Sequence, residues 1–150
     1  MDALAVILEN PEHLSVQRLA LTPPGDADAV VAVAWSGIST GTERLLWSGR
    51  MPPFPGMGYP LVPGYESVGT VVEADSGASV RVGQTVYVPG ARCFGAVRGL
   101  FGGAASHLVA PAARLVPVDG ALGERACLLA LAATAHRALG RLVPGATPLI

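Results

Sequence analysis

The chain opens on an apolar run with no helical period, Ala3-Leu4-Ala5-Val6-Ile7-Leu8, followed by two more runs of strand character, Leu14 to Leu21 and Ala29 to Trp35. Pro, Gly and Asp separate them, so the first third reads as three β-strands joined by turns. After Ser36-Gly37 a polar turn, Ile38 to Glu43, leads into Arg44-Leu45-Leu46-Trp47, where Ser39 or Thr42 is placed to cap one helical turn. Periodicity then stops. Residues 47–63 mix proline, glycine, methionine and aromatics without alternation, which predicts an ordered loop, since a linker would be polar. Strand character resumes at Ser67 to Glu73 and Val80 to Val88, around an Asp75-Ser76-Gly77 turn, and two more strands fit Ala105 to Ala110 and Arg114 to Val118. One helix stands out, Glu124 to Leu139, with Gly123 before it, Arg137 in its last turn and Gly140 just past its end. Apolar residues circle it, which predicts burial on more than one side.

At 150 residues the chain has room for one domain, or one domain and a piece of another. It is 51% hydrophobic and 14% charged, which excludes disorder. Nineteen glycines and thirteen prolines suit short strands joined by turns. A net charge of −1 and a pI near 6.3 leave no electrostatic footprint for nucleic acid. A mean hydropathy of +0.47 raises the question of a membrane, but the longest helical-looking apolar run, Ala126 to Ala135, is about half the ~20 residues a span requires. The excess apolarity instead reads as surface to be covered by a partner domain or an apolar ligand. Two cysteines, Cys93 and Cys127, make neither a disulfide framework nor a four-thiolate metal site, and no basic-plus-apolar leader opens the chain, so a cytoplasmic protein is expected.

Four segments in order carry a family pattern. They are Pro63-Gly64-Tyr65-Glu66-Ser67-Val68-Gly69-Thr70-Val71; Val82-Gly83-Gln84-Thr85-Val86; Gly102-Gly103-Ala104-Ala105-Ser106 with Pro111 to Pro117; and Leu131 to Leu139. Together they resemble the medium-chain dehydrogenase/reductase family of alcohol dehydrogenase type. Ser36 to Glu43, Trp47-Ser48-Gly49 and Met51 to Glu66 are similar, more narrowly, to its branch acting on bacteriochlorophyllide-type tetrapyrroles. The resemblance implies a mainly β fold: a GroES-like, partly open barrel over residues 1–122, an interdomain helix over 123–143, and the start of a cofactor-binding Rossmann domain at 144–150. No G-x-G-x-x-G turn stands between a strand and a helix here. NAD binding is therefore assigned to a part outside these residues, and the chain alone is expected to be inactive.

Zinc-dependent members hold their catalytic metal at positions that the resemblance maps onto Ser39, Tyr65 and Ala130. None of these suits zinc, and of the cysteine-rich structural lobe only Cys93 remains, so no metal is expected. What the resemblance implies is zinc-free oxidation, with NAD, of a 1-hydroxyethyl group on a tetrapyrrole to an acetyl group. Conjugation to the macrocycle would ease the chemistry. Thr42 matches the family's alcohol-binding Ser/Thr if one residue is inserted, and Thr42, Tyr65, Glu66 and Ser39 are the catalytic candidates. Trp47, Met51, Phe54, Met57 and Tyr59 on the loop offer the flat apolar contacts such a pigment needs, and His136 lies near the expected domain cleft.

Each assignment has a plainer rival. Glu66 could be a structural carboxylate, Tyr65 core filler, and Ser39 to Thr42 a helix cap; the loop could pack only on its own barrel. His13 and His107 have no ligand spacing, and the cysteines suit small apolar positions. Two functional rivals stand as well: a zinc-free, NADPH-dependent quinone or enoyl reductase of the same fold, and a non-enzymatic GroES-like oligomerisation module. Peripheral membrane association and homo-oligomerisation are left open.

Overall fold

The computed structural model describes residues 1–139. Strands β1 (Asp2–Asn10), β2 (His13–Ala20), β4 (Leu61–Val62) and β7 (Arg98–Gly99) form one sheet in the order β2-β1-β4-β7. Strands β3 (Asp28–Ser36), β5 (Ser67–Ala74), β6 (Thr85–Val88), β8 (His107–Pro111) and β9 (Val116–Pro117) form the other, in the order β8-β3-β5-β6-β9. The sheets are stitched where Ala5 bridges Ala105, the Val6 amide donates to the Ala104 carbonyl at 2.9 Å, and the Ser106 amide to the Leu4 carbonyl at 2.8 Å. The result is a partly open β-barrel.

The pleat of β1 divides its apolar residues between two environments. Ala3, Ala5 and Ile7 enter the main core with Val30, Val31, Val71, Val86 and Leu108. Leu4, Val6 and Leu8 face the opposite way, and Leu4 stays half exposed. Leu8 is covered by a second cluster with Leu46 and Leu61, so the part of that face left to be covered is its Leu4 end.

Three expectations need correction. Val80 to Gln84 is a turn: the Gln84 amide donates to the Arg81 carbonyl at 3.0 Å, and Gly83 has φ +86°, outside strand geometry. In the segment Arg114 to Val118 only Val116–Pro117 pairs, because Ala112–Arg114 forms a 3-10 turn. The late helix is split. Gly123 (φ 53°) breaks it, Gly120–Leu128 is 3-10 with the Asp119 side chain accepting from the Ala121 amide at 2.9 Å, and α-helix runs only over Leu129–Leu139. Burial is confined to the 3-10 part, where Ala126 and Cys127 pack on Val68 and Tyr87. The α-helical part has no buried residue, since among the described residues little but the 3-10 run packs against it. Gly140 and the segment 144–150, expected to begin a Rossmann domain, lie outside the described residues, as does the end of the helix expected to join the two domains.

Candidate active site

The polar turn after β3 builds a short helix, α1 (Thr42–Trp47), whose N-cap is Gly41. Ser39 closes that turn: its Oγ accepts from the Thr42 amide at 3.3 Å and its carbonyl from the Glu43 amide at 3.0 Å. Its hydroxyl oxygen is thereby engaged with backbone.

Across from α1, the bend leading into β5 brings Tyr65 onto Thr42, and the Tyr65 hydroxyl donates to Thr42 Oγ1 at 3.2 Å. The Tyr65 ring is held edge-on by Phe101, centroids 5.2 Å apart at 76°. Its carbonyl accepts from the Tyr87 hydroxyl at 3.0 Å. Burial first, then the Glu66 charge, pushes the Tyr87 phenol up to about 12, so Tyr87 remains a donor at neutral pH. Glu66 is buried, its carbonyl accepting from the Gly37 amide at 2.8 Å, and a Cβ at Gly37 would meet Glu66 Cβ and Oε2 at 3.1 Å. Gly37 thus fits where a larger residue would press on the carboxylate. Ser67 finishes the wall, its hydroxyl donating to the Gly103 carbonyl at 2.8 Å. Thr42, Tyr65 and Glu66 are therefore drawn together around the start of α1.

The loop candidates part company. Trp47 lines a cavity of about 510 Å³ between the outer face of the β1–β2 hairpin and the β3–α1 turn. Met51, Met57 and Tyr59 pack instead on buried Leu8, Leu46, Leu61 and Leu100, with the Tyr59 hydroxyl donating to the Leu46 carbonyl. Phe54 is partly exposed, and His136 is exposed on the late α-helix. The Cys93 and Cys127 thiols are both raised, chiefly by burial, and stay protonated. They act as small apolar groups; Cys93 Sγ also accepts from the Val109 amide at 3.4 Å.

Glu43 was not among the sequence candidates. Its Oε2 is buried without a hydrogen-bond partner, and the residue lines the same cavity as Trp47. Burial raises its pKa most and the Glu66 charge adds to this, while backbone groups of Glu43 itself, Ser39 and Gly64 pull it down. The signal was present in the helical period: Glu43, Leu46 and Trp47 lie at i, i+3 and i+4, and Leu46 is fully buried. A carboxylate on an inward face is the informative case.

The donor chemistry does not fit a zinc ion. Ser39, Tyr65 and Ala130 offer neither thiolate nor imidazole, and among the described residues no three His, Cys, Asp or Glu side chains come together to hold a metal. Nor do these residues include a Gly-rich strand-to-helix turn for a dinucleotide.

The chain is 56% identical, over 93% of its length, to the 2-desacetyl-2-hydroxyethyl bacteriochlorophyllide A dehydrogenase of Rhodobacter capsulatus, and 54% identical over 95% to that of Cereibacter sphaeroides. It covers 45% and 46% of those proteins, so it spans about half the length of the curated relatives it matches. Among solved structures it superposes on an oxidoreductase of unknown specificity from Escherichia coli with a TM-score of 0.76 and 19% identity, covering 97% of this chain and 49% of the other. A probable oxidoreductase from Mycobacterium abscessus gives a TM-score of 0.75 at 23% identity, covering 94% and 43%. These two likenesses speak for the fold. The sequence profile of the alcohol dehydrogenase GroES-like domain matches residues 25–120. With that match over more than half its length, the chain belongs to the alcohol dehydrogenase GroES-like domain family.

Proposed function

We propose that this chain is the catalytic part of a dehydrogenase that oxidises the 3-(1-hydroxyethyl) group of a bacteriochlorophyllide to 3-acetyl, with NAD as hydride acceptor bound outside the described residues. The observation that carries the reading is the 56% identity over 93% of the chain with a relative named for that substrate. The site is compatible with it. A secondary alcohol gives its hydride to the acceptor and its hydroxyl proton to bulk water, and the Tyr65 hydroxyl hydrogen-bonded to Thr42 Oγ1 offers a two-hydroxyl relay for that proton that needs no metal. Glu66 sets the charge of this wall and Tyr87 fixes the Tyr65 backbone. No observation favours the quinone or enoyl reductase, or the non-enzymatic module.

The test is the far-red absorption of the hydroxyethyl pigment incubated with the whole protein and either NAD or NADP. An acetyl group conjugated to the macrocycle shifts the long-wavelength band to the red. A shift that requires NAD and survives a chelator is the expected result. A folded protein that leaves the band in place with both cofactors overturns the substrate, and a shift with NADP alone overturns the cofactor.

A further inference from the structure

Strand β2 is the edge of its sheet, and among the described residues β1 is its one partner. The ladder fixes which of its backbone groups are spare. Across the Asp2–Ala20 pair the Leu21 amide donates to the Met1 carbonyl at 3.0 Å, so β1 and β2 exchange their bonds at the alternate pairs Ala3–Leu19, Ala5–Gln17 and Ile7–Ser15. β1 obeys the same alternation: Leu4 and Val6 bond on its far side, to Ser106 and Ala104. The amides and carbonyls of Leu14, Val16 and Arg18 therefore point outward along the open edge. Their side chains are open as well, Leu14 at 53% and Val16 at 62%. Leu14 to Gln17 carries neither proline nor charge, the residues with which an edge is ordinarily kept from pairing.

We propose that the protein self-associates through this edge, β2 of one copy pairing antiparallel with β2 of a second about a two-fold axis at Ser15, so that two sheets become one. The sequence of the strand selects both the partner and the register. With the axis at Ser15, Leu14 stands opposite Val16 of the second copy at a hydrogen-bonded site, and Arg18 opposite the turn residue Glu12, each pair occurring twice by symmetry. Glu12 and Arg18 are both exposed. An axis at Val16 would set Leu14 against Arg18, and one at Leu14 would set Val16 against Glu12, apolar against charged in both cases. An axis between two residues would set outward-pointing backbone groups against inward-pointing ones and form no ladder. Nothing in this inference depends on the substrate.

Disulfide trapping of the whole protein with copper phenanthroline, read on non-reducing gels, tests this. At the axis Ser15 meets its own copy at a non-hydrogen-bonded site, with Cα atoms about 4.5 Å apart, whereas Gln17 and its copy lie more than about 10 Å apart, beyond the reach of a disulfide. Ser15→Cys is therefore expected to give a cross-linked dimer at least about tenfold faster than Gln17→Cys or wild type. Val16→Pro removes an outward amide that β1 does not use; added to Ser15→Cys, it should slow cross-linking about tenfold or more. Arg18→Glu should slow it too, and Glu12→Arg added to Arg18→Glu should restore it. A mixture of the His13→Cys and Gln17→Cys proteins should cross-link where neither does alone, which keeps the test alive if the Ser15 variant fails to fold. A folded Ser15→Cys protein that stays uncross-linked, as it would if the rest of the protein covered this edge, overturns the proposal. So does Gln17→Cys cross-linking at the Ser15→Cys rate, or Ser15→Cys cross-linking undiminished by Val16→Pro.

Discussion

The two sides of α1 are built on opposite principles. On the side of Thr42, polar groups are paired: Tyr65 to Thr42, Tyr87 to the Tyr65 carbonyl and, separately, Ser67 to the Gly103 carbonyl. On the side of Glu43, apolar side chains surround open space and the one carboxylate oxygen among them is unpaired. A satisfied polar network holds its members in one geometry, which proton transfer requires. An open apolar recess leaves its large side chains facing solvent and fixes no polar geometry. One helical turn thus presents a fixed wall to one flank and an unfinished recess to the other.

Breaking the partition between them should have the largest effect. Gly64 lines the recess just before Tyr65, has φ +92°, and a Cβ there would come within 2.9 Å of the Ala104 amide nitrogen. Gly64→Ala is expected to cost roughly 3 to 5 kcal/mol, read as a fall in the denaturant midpoint. Next comes the wall. Tyr65→Phe removes the hydrogen bond to Thr42 and should lower kcat about 10² to 10³ fold, with KM for the pigment nearly unchanged, as steady-state kinetics would report. Tyr87→Phe acts one step back. It should cost about 1 kcal/mol of stability, measured by denaturation, and reduce turnover only a few fold.

The smallest effect sharpens the recess side. The folded pKa of Glu43 is raised above its ordinary value, so the folded state holds that proton more tightly than the unfolded chain. Its contribution to stability is therefore present at low pH and is lost as pH rises from the ordinary carboxylate value through the raised one. Glu43→Gln, which cannot ionise, should melt higher than wild type at pH 7, and the gap should close below about pH 4. Melting curves at the two pH values check this. An equal gap at both would remove burial as the cause.

Much of this was legible in the chain. The strands at Asp2–Asn10, His13–Ala20, Asp28–Ser36 and Ser67–Ala74 stand where apolar runs bounded by turn residues put them, and the segments carrying the family resemblance include the Tyr65-Glu66 step. Short strands were not legible. Leu61–Val62 and Arg98–Gly99 are held only by partners distant in sequence, β4 on β1 and β7 on β4, so no local period announces them. Val80 to Gln84 misled because Val80 is buried from within a turn while Val82 stands exposed. The late helix misled because Gly123 at positive φ imposes a break that alanine-rich composition conceals. The packing of Met51, Met57 and Tyr59 on Leu46 and Leu61 was not legible, because side chains suited to a flat ligand are equally suited to covering a small apolar cluster. Glu43 was hidden in plain view as the end of a capping turn; only Leu46, three residues on and buried, marks its side of the helix as inward.

The central claim is that oxidation of the hydroxyethyl group proceeds through the Thr42–Tyr65 pair without a metal. It is tested most directly by following the far-red band of the hydroxyethyl pigment in single turnovers of the whole protein with NAD and a chelator, wild type against Tyr65→Phe. The account predicts a red shift that the chelator leaves unchanged in wild type and that slows at least about a hundredfold in Tyr65→Phe with pigment affinity preserved. A wild-type shift abolished by the chelator, or a Tyr65→Phe protein that turns over at the wild-type rate, would contradict it.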